Sequence, residues 1–526
     1  MKRRAFMASG MATGAAATLT APSIAQAATS TLKFIPQADV ASLDPVWTTA
    51  DVTRNYSLAV YDTLYGDNAN FIPQPQMAAG HTVSSDKLTW TITLRDGLKF
   101  HDNTPVVAAD CVASLRRWVQ VDPFGITVGS YVDSFSAPND KTLVIKLKAP
   151  FSLIPTALAF YSSCIMPAHQ VPANPHDQVT ASIGSGPFVF KASERVPGAK
   201  LVFEKFAGYV PRSTGAPSFM AGPKVAHFDR VEWTVIPDSA TKAAALESGE
   251  QDWWENPDID LIGVLKRTGK IKTRVTDVTG EVGCLRFNWL YPPFDKPAIR
   301  RLVLRAMSQR EVMAAVAGSQ PSIVKTDVGL FVPGTPMAST TGVEITRGVK
   351  DLASLKPELE KAGYKGEKIV VLVATNFPVI NSEGLVCVDF LKKMGFNVEL
   401  AALDWGTVVQ RRASQKPPSQ GGWNIFFTFL GGVGNVMPVA NPAIIGKGKQ
   451  AWFGWPTMPT MDKLIADWLS APSLKAQQKI CEHMQQLLWK DVPYVPLGMY
   501  QQPTAYRTYL KDIRMGFPQM YGVRRV

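Results

Sequence analysis

Residues that could hold a metal ion are few and scattered. Of the six histidines, only His169 and His176 are close neighbours, in a proline-rich segment without a cysteine. A buried tetrahedral site needs about four such ligands, and no haem or iron–sulfur spacing occurs. The sequence therefore predicts neither a metal site nor a bound cofactor.

Catalytic groups are equally hard to assemble. Nucleophilic catalysis needs a Ser or Cys beside a His and an orienting acid, and no local signature marks such a set. The paired carboxylates Glu247 and Glu250 fall on or just after a predicted helix, where exposure to solvent accounts for them. We therefore expect no catalytic residues and no enzyme, with a secreted hydrolase or a ligand sensor as the alternatives.

The chemistry of reversible binding is better represented. Thirteen tryptophans could supply aromatic walls for a cleft, which removes a large ligand area from water. Arg54, Arg347, Arg411 and Arg412 are candidate partners for a ligand carboxylate or phosphate. The net charge of +12 is spread along the chain without a nucleic-acid motif, so nucleic-acid binding is not predicted.

The first residues have the organisation of an export signal. Three basic residues, Lys2 to Arg4, precede a weakly apolar stretch and the small-x-small site Ala25–Ala27. The adjacent arginines favour a twin-arginine (Tat) signal over an ordinary Sec signal. We predict a signal peptide at 1–27, cleavage after Ala27 and a periplasmic location. No later run approaches the roughly 18 apolar residues that a membrane helix needs, so we expect a soluble protein.

Five cysteines are odd in number and far apart, which is unlike a disulfide framework. We predict that they pack as small apolar side chains. They are Cys111, Cys164, Cys284, Cys387 and Cys481.

Strand and helix patterns alternate along the chain. In TWTITLRDGLKF (89–100), apolar and polar residues alternate with the period of a half-buried strand. TPVVAADCVASLRRWV (104–119) follows with helical spacing and Thr104 near its cap. A second set of strands and helices begins near KIVVLVAT (368–375). Strands interspersed with helices predict an α/β protein.

These segments, in this order, resemble the family 5 extracellular solute-binding proteins, the peptide, nickel and opine receptors of ABC importers. The resemblance is carried by LDPVW, YDTLY, LRDGLKFHDNTP, GSGPFVF and PPFDKPAIRRLVLRAMSQR. It spans nearly the whole predicted mature chain. It implies capture of a small organic solute, peptide-like, opine-like or otherwise amphipathic or anionic, and delivery to the importer's membrane permease subunits by a monomeric protein.

The resemblance also implies an architecture: a class II periplasmic-binding-protein-like fold with two lobes, a hinge and an extra inserted subdomain. Lobe 1 would comprise 28–59, 184–288 and 491–526, with the subdomain at 60–183. Lobe 2 would run from 289 to 490. The ligand would lie between the lobes, which close on it.

Candidate cleft residues follow from the same resemblance. The positions at which family members line the cleft correspond to four tryptophans: Trp47, Trp289, Trp405 and Trp423. Trp405 follows a strand and is the leading candidate, beside Asp404. Arg54 and Asn435 complete the predicted set.

The loop after the strand FFTF departs from the peptide-binding members. Those members use an aspartate there to pair the ligand's α-ammonium, whereas residues 431–442 here contain no acid. An unpaired buried ammonium is costly. A peptide with a free amine is therefore not the favoured ligand unless Asp404 substitutes, and the loop glycines could instead present N–H groups to an anion.

Overall fold

The structure is a computed structural model that describes residues 30–318 and 320–526. The predicted signal peptide at 1–27 therefore lies outside the described residues. None of the helices in the described part of the chain is long and apolar enough to cross a membrane. The described chain is a mixed α/β protein with two large sheets and a smaller one, as the sequence predicted.

The first large sheet has seven strands, mostly from the N-terminal half. Its central strand pairs in parallel with strands on either side, and antiparallel pairs complete the edges. In spatial order the strands are Ile271–Val275, Pro503–Arg507, Trp253–Trp254, Thr31–Ile35, Arg230–Thr234, Lys200–Lys205 and Phe188–Phe190.

The second large sheet has six strands and lies farther along the chain. A parallel pair, Lys368–Ala374 with Asn397–Leu403, forms one edge. In spatial order the strands are Val324–Lys325, Tyr494–Tyr500, Glu281–Phe287, Ile425–Gly431, Lys368–Ala374 and Asn397–Leu403.

A four-stranded antiparallel sheet occupies the region predicted as an inserted subdomain. Its strands are Ala78–Val83, Thr89–Leu94, Thr142–Leu147 and Val132–Asn139. In the second of them, Trp90, Ile92 and Leu94 are buried, which confirms the predicted alternation. A two-stranded ribbon, Tyr65–Asp67 with Pro73–Pro75, lies nearby in the chain.

Two strands lie in a different sheet from the one that the predicted lobe boundaries imply. Glu281–Phe287 and Tyr494–Tyr500 fall within 184–288 and 491–526, which were assigned to lobe 1, yet they pair with each other in the second sheet. Glu281–Phe287 also pairs with Ile425–Gly431. The chain therefore passes between the sheets at 276–280 and 501–502. Strand pairing between distant segments decides this, and periodicity carries no information about it.

The helices pack their apolar faces on these sheets. The helix predicted to begin near Thr104 begins instead at Ala108, and the carboxylate of Asp110 accepts the Val107 N–H at its start. The α-helices are Asp51–Val60, Ala108–Val121, Pro123–Tyr131, Ile154–Ala157, Ser239–Ser248, Ile262–Arg267, Pro297–Ala306, Gln309–Ala317, Lys356–Lys361, Pro378–Lys393, Trp405–Arg412, Pro459–Leu469 and Leu474–Asp491.

Two glycines of the GSGPF segment hold the first helix in place. A Cβ atom at Gly184 would lie 1.9 Å from the Val60 carbonyl oxygen, and one at Gly186 would lie 2.7 Å from the Val60 carbonyl carbon. The Gly186 N–H donates to that carbonyl oxygen at 2.9 Å. The glycines are thus required for close backbone contact with the end of helix Asp51–Val60, whose opposite end reaches the candidate site.

Candidate ligand-binding site

A cavity of about 930 Å³, counted with its opening to solvent, lies between segments that are far apart in the chain. One wall comes from the start of helix Asp51–Val60, residues 122–124 and 160–161, and Phe517. The other comes from helix Trp405–Arg412 and residues 428–442. Segments far apart in the chain therefore converge on one space, as a ligand cleft requires.

Hydrogen bonds connect the two walls beside the cavity. The Trp452 indole N–H donates to the Thr49 hydroxyl at 3.0 Å. An Arg412 guanidinium nitrogen lies 3.4 Å from the Thr48 hydroxyl. The structure is thus a closed arrangement in which the walls touch.

The apolar lining is largely aromatic. Phe124 and Phe160 meet edge to face, with ring centroids 5.4 Å apart. Trp405 is 3% exposed and packs edge to face on Phe377 at 5.8 Å. Aromatic rings at such distances form rigid walls that remove a ligand's apolar surface from water.

Two oppositely charged side chains of the cavity lining, Asp51 and Arg54, neutralise each other. The Asp51 carboxylate lies 2.8 Å from the Arg54 guanidinium. Burial raises the pKa of Asp51, and the arginine opposes that rise. The Arg54 guanidinium also lies 3.6 Å from the centroid of the Phe517 ring. Arg54 is therefore a wall element with its charge already paired.

A second acid of the lining, Asp122, is satisfied by hydrogen bonds. Its carboxylate accepts the Gly125 N–H at 2.9 Å and the Ser162 hydroxyl at 2.8 Å. Burial raises its pKa to about 6 even so. Asp122 caps the helix Pro123–Tyr131, which gives it a structural role.

Arg412 carries a positive charge without an acidic partner. Its side chain is buried, and among the described residues no carboxylate lies within ion-pairing distance. Its guanidinium carbon is 5.3 Å from the Trp405 ring and 4.8 Å from the Phe453 ring. Its Nε has no hydrogen-bond partner. Burial lowers its pKa to about 10, so the group stays charged at neutral pH.

Two buried acceptors of the lining also lack partners. Asp67 Oδ1 and Asn435 Oδ1 make no hydrogen bond within the described chain. Burial raises the pKa of Asp67 to about 7. Buried polar atoms without a partner call for an explanation, and these two belong, like the Arg412 Nε, to residues that line one cavity.

Of the predicted site residues, the structure brings three together at the cavity. Trp405, Arg54 and Asn435 line it. Asp404 does not, because its carboxylate caps the following helix by accepting the Thr407 N–H at 3.0 Å. It is therefore already engaged, and the structure does not offer it as a substitute for the missing loop acid.

The other predicted tryptophans lie away from the lining. Trp423 is fully buried in the core, where its indole N–H donates to the Arg412 carbonyl at 3.1 Å. Trp289 is half-buried, and the Arg300 guanidinium lies 3.5 Å from its ring centroid. Trp47 is half-buried just before the lining segment that starts at residue 49.

Of the four candidate arginines, two line the cavity and two lie away from it. Arg347 is exposed and pairs with Asp327 at 3.2 Å. Arg411 donates to the carbonyl groups of residues 421 and 422. Only Arg54 and Arg412 line the cavity. Sequence reasoning missed Asp51, Asp67 and Asp122, and no motif marks them.

This chain is similar to known proteins in both sequence and structure. Residues 73–442 match the profile of the bacterial extracellular solute-binding proteins, family 5 Middle. The chain belongs to this family. A probable peptide ABC transporter periplasmic-binding protein, y4tO of Sinorhizobium fredii, is 37% identical over all of this chain and 99% of its own.

Solved family 5 proteins share the two-lobed class II fold. The periplasmic binding protein DppA of Helicobacter pylori, in complex with the peptide STSA, has a TM-score of 0.78 at 20% identity, covering 94% of this chain and 98% of its own. AgaA of A. tumefaciens R10, in complex with agropinic acid, has a TM-score of 0.77 at 20% identity, covering 94% and 99%. The chain therefore shares the two-lobed class II fold of this family.

Among the described residues, no group of three or more His, Cys, Asp or Glu side chains could hold a metal ion. The residues that line the cavity offer a ligand aromatic contact, hydrogen bonding and ion pairing. The family members named above are binding proteins, and their function agrees with this inventory.

Proposed function

We propose that this protein captures a carboxylate-bearing organic solute in the cavity between its lobes and delivers it to the membrane permease of an ABC importer. The observation that carries the proposal is the buried, unpaired guanidinium of Arg412. A protein interior holds an uncompensated charge only at a substantial cost. A ligand carboxylate would remove that cost by forming charge-assisted hydrogen bonds with the free Nε and its neighbours.

The aromatic surroundings of Arg412 narrow the solute class. Trp405, Phe429, Phe124 and Phe160 line the same cavity, so the ligand presents apolar surface besides its carboxylate. Peptide-like and opine-like compounds have both features. The name of the S. fredii relative and the ligands in the two solved structures support these classes.

Capture would be coupled to lobe closure. Arg412 belongs to the second lobe, whereas the aromatic residues 124, 160 and 517 belong to the other wall. A ligand that contacts both walls favours the closed form by the difference between its closed and open affinities. The chain crossings at 276–280 and 501–502 would act as the hinge, and the closed form would dock on the permease. Export by the Tat signal at 1–27 would place the protein in the periplasm.

The test compares Arg412→Met with Arg411→Met as the matched control. Arg411 has the same side chain on the same helix but points its hydrogen bonds at loop carbonyls outside the cavity. Met-Leu, glutathione and mannopinic acid serve as probes in a thermal-shift screen, because a ligand that binds only the native state raises Tm. We expect a shift in the wild type and in Arg411→Met and its loss in Arg412→Met.

Other outcomes would exclude the proposal. Equal shifts in both variants would remove Arg412 from the binding site. No shift with any probe would refute capture of peptide-like and opine-like solutes. If mass spectrometry shows that a bound probe is chemically converted, the hydrolase alternative is favoured instead.

A further inference from the structure

The charges in the cavity do not all cancel within the protein. Its lining contains three acids and two arginines. Asp51 pairs with Arg54, and Asp122 is held by hydrogen bonds from Gly125 and Ser162. One negative group, Asp67, and one positive group, Arg412, remain without partners of opposite charge.

The backbone fixes Asp67 at the cavity. It ends the strand Tyr65–Asp67, which pairs with Pro73–Pro75. Its carbonyl oxygen accepts the N–H groups of Met220 and Ala221 at 2.9 and 3.1 Å. These backbone hydrogen bonds hold Asp67 in the lining of the cavity, to which Met220 and Phe517 also belong.

This position is costly for an acid that serves only the fold. Asp67 is 7% exposed, its Oδ1 lacks a hydrogen bond, and among the described residues no cation lies within ion-pairing distance of it. An apolar residue would fill the corner without that desolvation cost. A buried, unpaired polar group on a residue that lines a ligand cavity is instead the arrangement expected of a ligand contact.

We propose that Asp67 binds a cationic amine of the ligand, so that Asp67 and Arg412 together select solutes bearing an amine and a carboxylate. This inference rests on the proposed function and specifies its substrate class. The loop 431–442 contains no acid, and Asp404 is occupied as a helix cap. Asp67 is therefore the acid of the lining with an unused acceptor. The free Oδ1 of Asn435 offers the amine a second acceptor.

The two unpaired charges lie on opposite walls. Asp67 belongs to the N-terminal ribbon, and Arg412 ends a helix next to the second sheet. A zwitterionic ligand would neutralise both only when the lobes are closed around it. A ligand with one charge would leave the other group unpaired and would favour closure less.

The test uses calorimetric titration of the purified protein with two peptides, Met-Leu and Ser-Thr-Ser-Ala. Each is compared with its N-acetyl form, which lacks the cationic amine, and its C-terminal amide, which lacks the carboxylate. We expect the free peptide to bind at least tenfold more tightly than either blocked form. In Asp67→Asn, the preference for the free amine should disappear, whereas the preference for the carboxylate should remain.

Glu383→Gln is the matched control. Glu383 is also a fully buried acid without a hydrogen-bond partner, but it is not part of the cavity lining. The same chemical change there should leave the amine preference intact. An amine preference that survives in Asp67→Asn, or that is lost in Glu383→Gln, would overturn the inference.

The outcomes separate this inference from the proposed function. Equal binding of the free and N-acetyl peptides by the wild type overturns the role of Asp67, while a retained preference over the amide keeps the proposed function. If no form of either peptide binds, the inference is also overturned. Mannopinic acid in the same titration then decides the proposed function, through binding that Arg412→Met abolishes or through no binding.

Discussion

The affinity for a ligand with a free amine should fall as the pH is lowered from 7 to 5. Asp67 attracts an ammonium group only when its carboxyl is ionised. Burial raises the pKa of Asp67 to about 7, so in the free protein about half of the carboxyls are ionised at pH 7 and roughly 1% at pH 5. A paired ammonium lowers the pKa of the bound carboxyl. The association constant should therefore drop by about 50-fold over these two pH units.

The assay is the titration of Met-Leu and N-acetyl-Met-Leu at pH 5, 6 and 7. Other buried acids titrate in or near this range, including Asp122, Glu255 and Glu281. The charged groups that share the cavity with Asp67 are Asp51, Arg54, Asp122 and Arg412. Their effects act on both peptides, so the ratio of the two affinities isolates the amine. The ligand carboxylate stays ionised throughout, since its pKa is roughly 3.5.

The Asp67→Asn variant provides a second test in the same experiment. In Asp67→Asn the affinity ratio should be independent of pH, because the titrating carboxyl is gone. A wild-type ratio that is constant from pH 5 to 7, or a pH dependence that persists in Asp67→Asn, would refute the assignment.

Three further predictions concern stability, binding and thiol chemistry. Burial raises the pKa of Glu383 well above its usual range. The folded state therefore retains a proton that the unfolded chain has lost, and wild-type stability should fall relative to Glu383→Gln as the pH rises above roughly 4.5. Denaturation at pH 5 and 7 measures this slope, and parallel pH profiles would contradict it. Trp405→Leu should weaken Met-Leu binding by about tenfold or more, since an aromatic wall is lost. Trp289→Leu, away from the cavity, should not, and equal titrations for the two variants would exclude Trp405 as a contact. All five cysteines are free and buried, and burial raises their thiol pKa values, so a thiol reagent should label them only after denaturation. Rapid labelling of the native protein would show that one of them is accessible.

Local sequence patterns determined the kind of protein. Alternation in Thr89–Leu94 and helical spacing after Ala108 reflect burial of one face, which is a local property of strands and helices. Segments such as LRDGLKFHDNTP, taken in their order along the chain, were sufficient to identify the family. Even so, the start of the helix moved from the predicted Thr104 to Ala108, since a cap depends on hydrogen bonds that spacing alone does not show.

The same patterns could not assign strands to sheets. Glu281–Phe287 reads as a strand in either lobe, and only its hydrogen bonds to Ile425–Gly431 place it in the second sheet. The hydrogen bonds that pair these strands form between segments that are remote in the chain.

Residue type determined that arginines and tryptophans were available for binding, and the tertiary structure decided which of them line the cavity. Arg411 and Arg412 are adjacent and chemically identical, yet one bonds to loop carbonyls and the other faces the cavity. Trp423 is buried in the hydrophobic core, whereas Trp405 lines the cavity. No sequence motif marks Asp67, because its significance is an unpaired charge. Whether a charge is paired depends on every group that folding brings within a few ångströms of it.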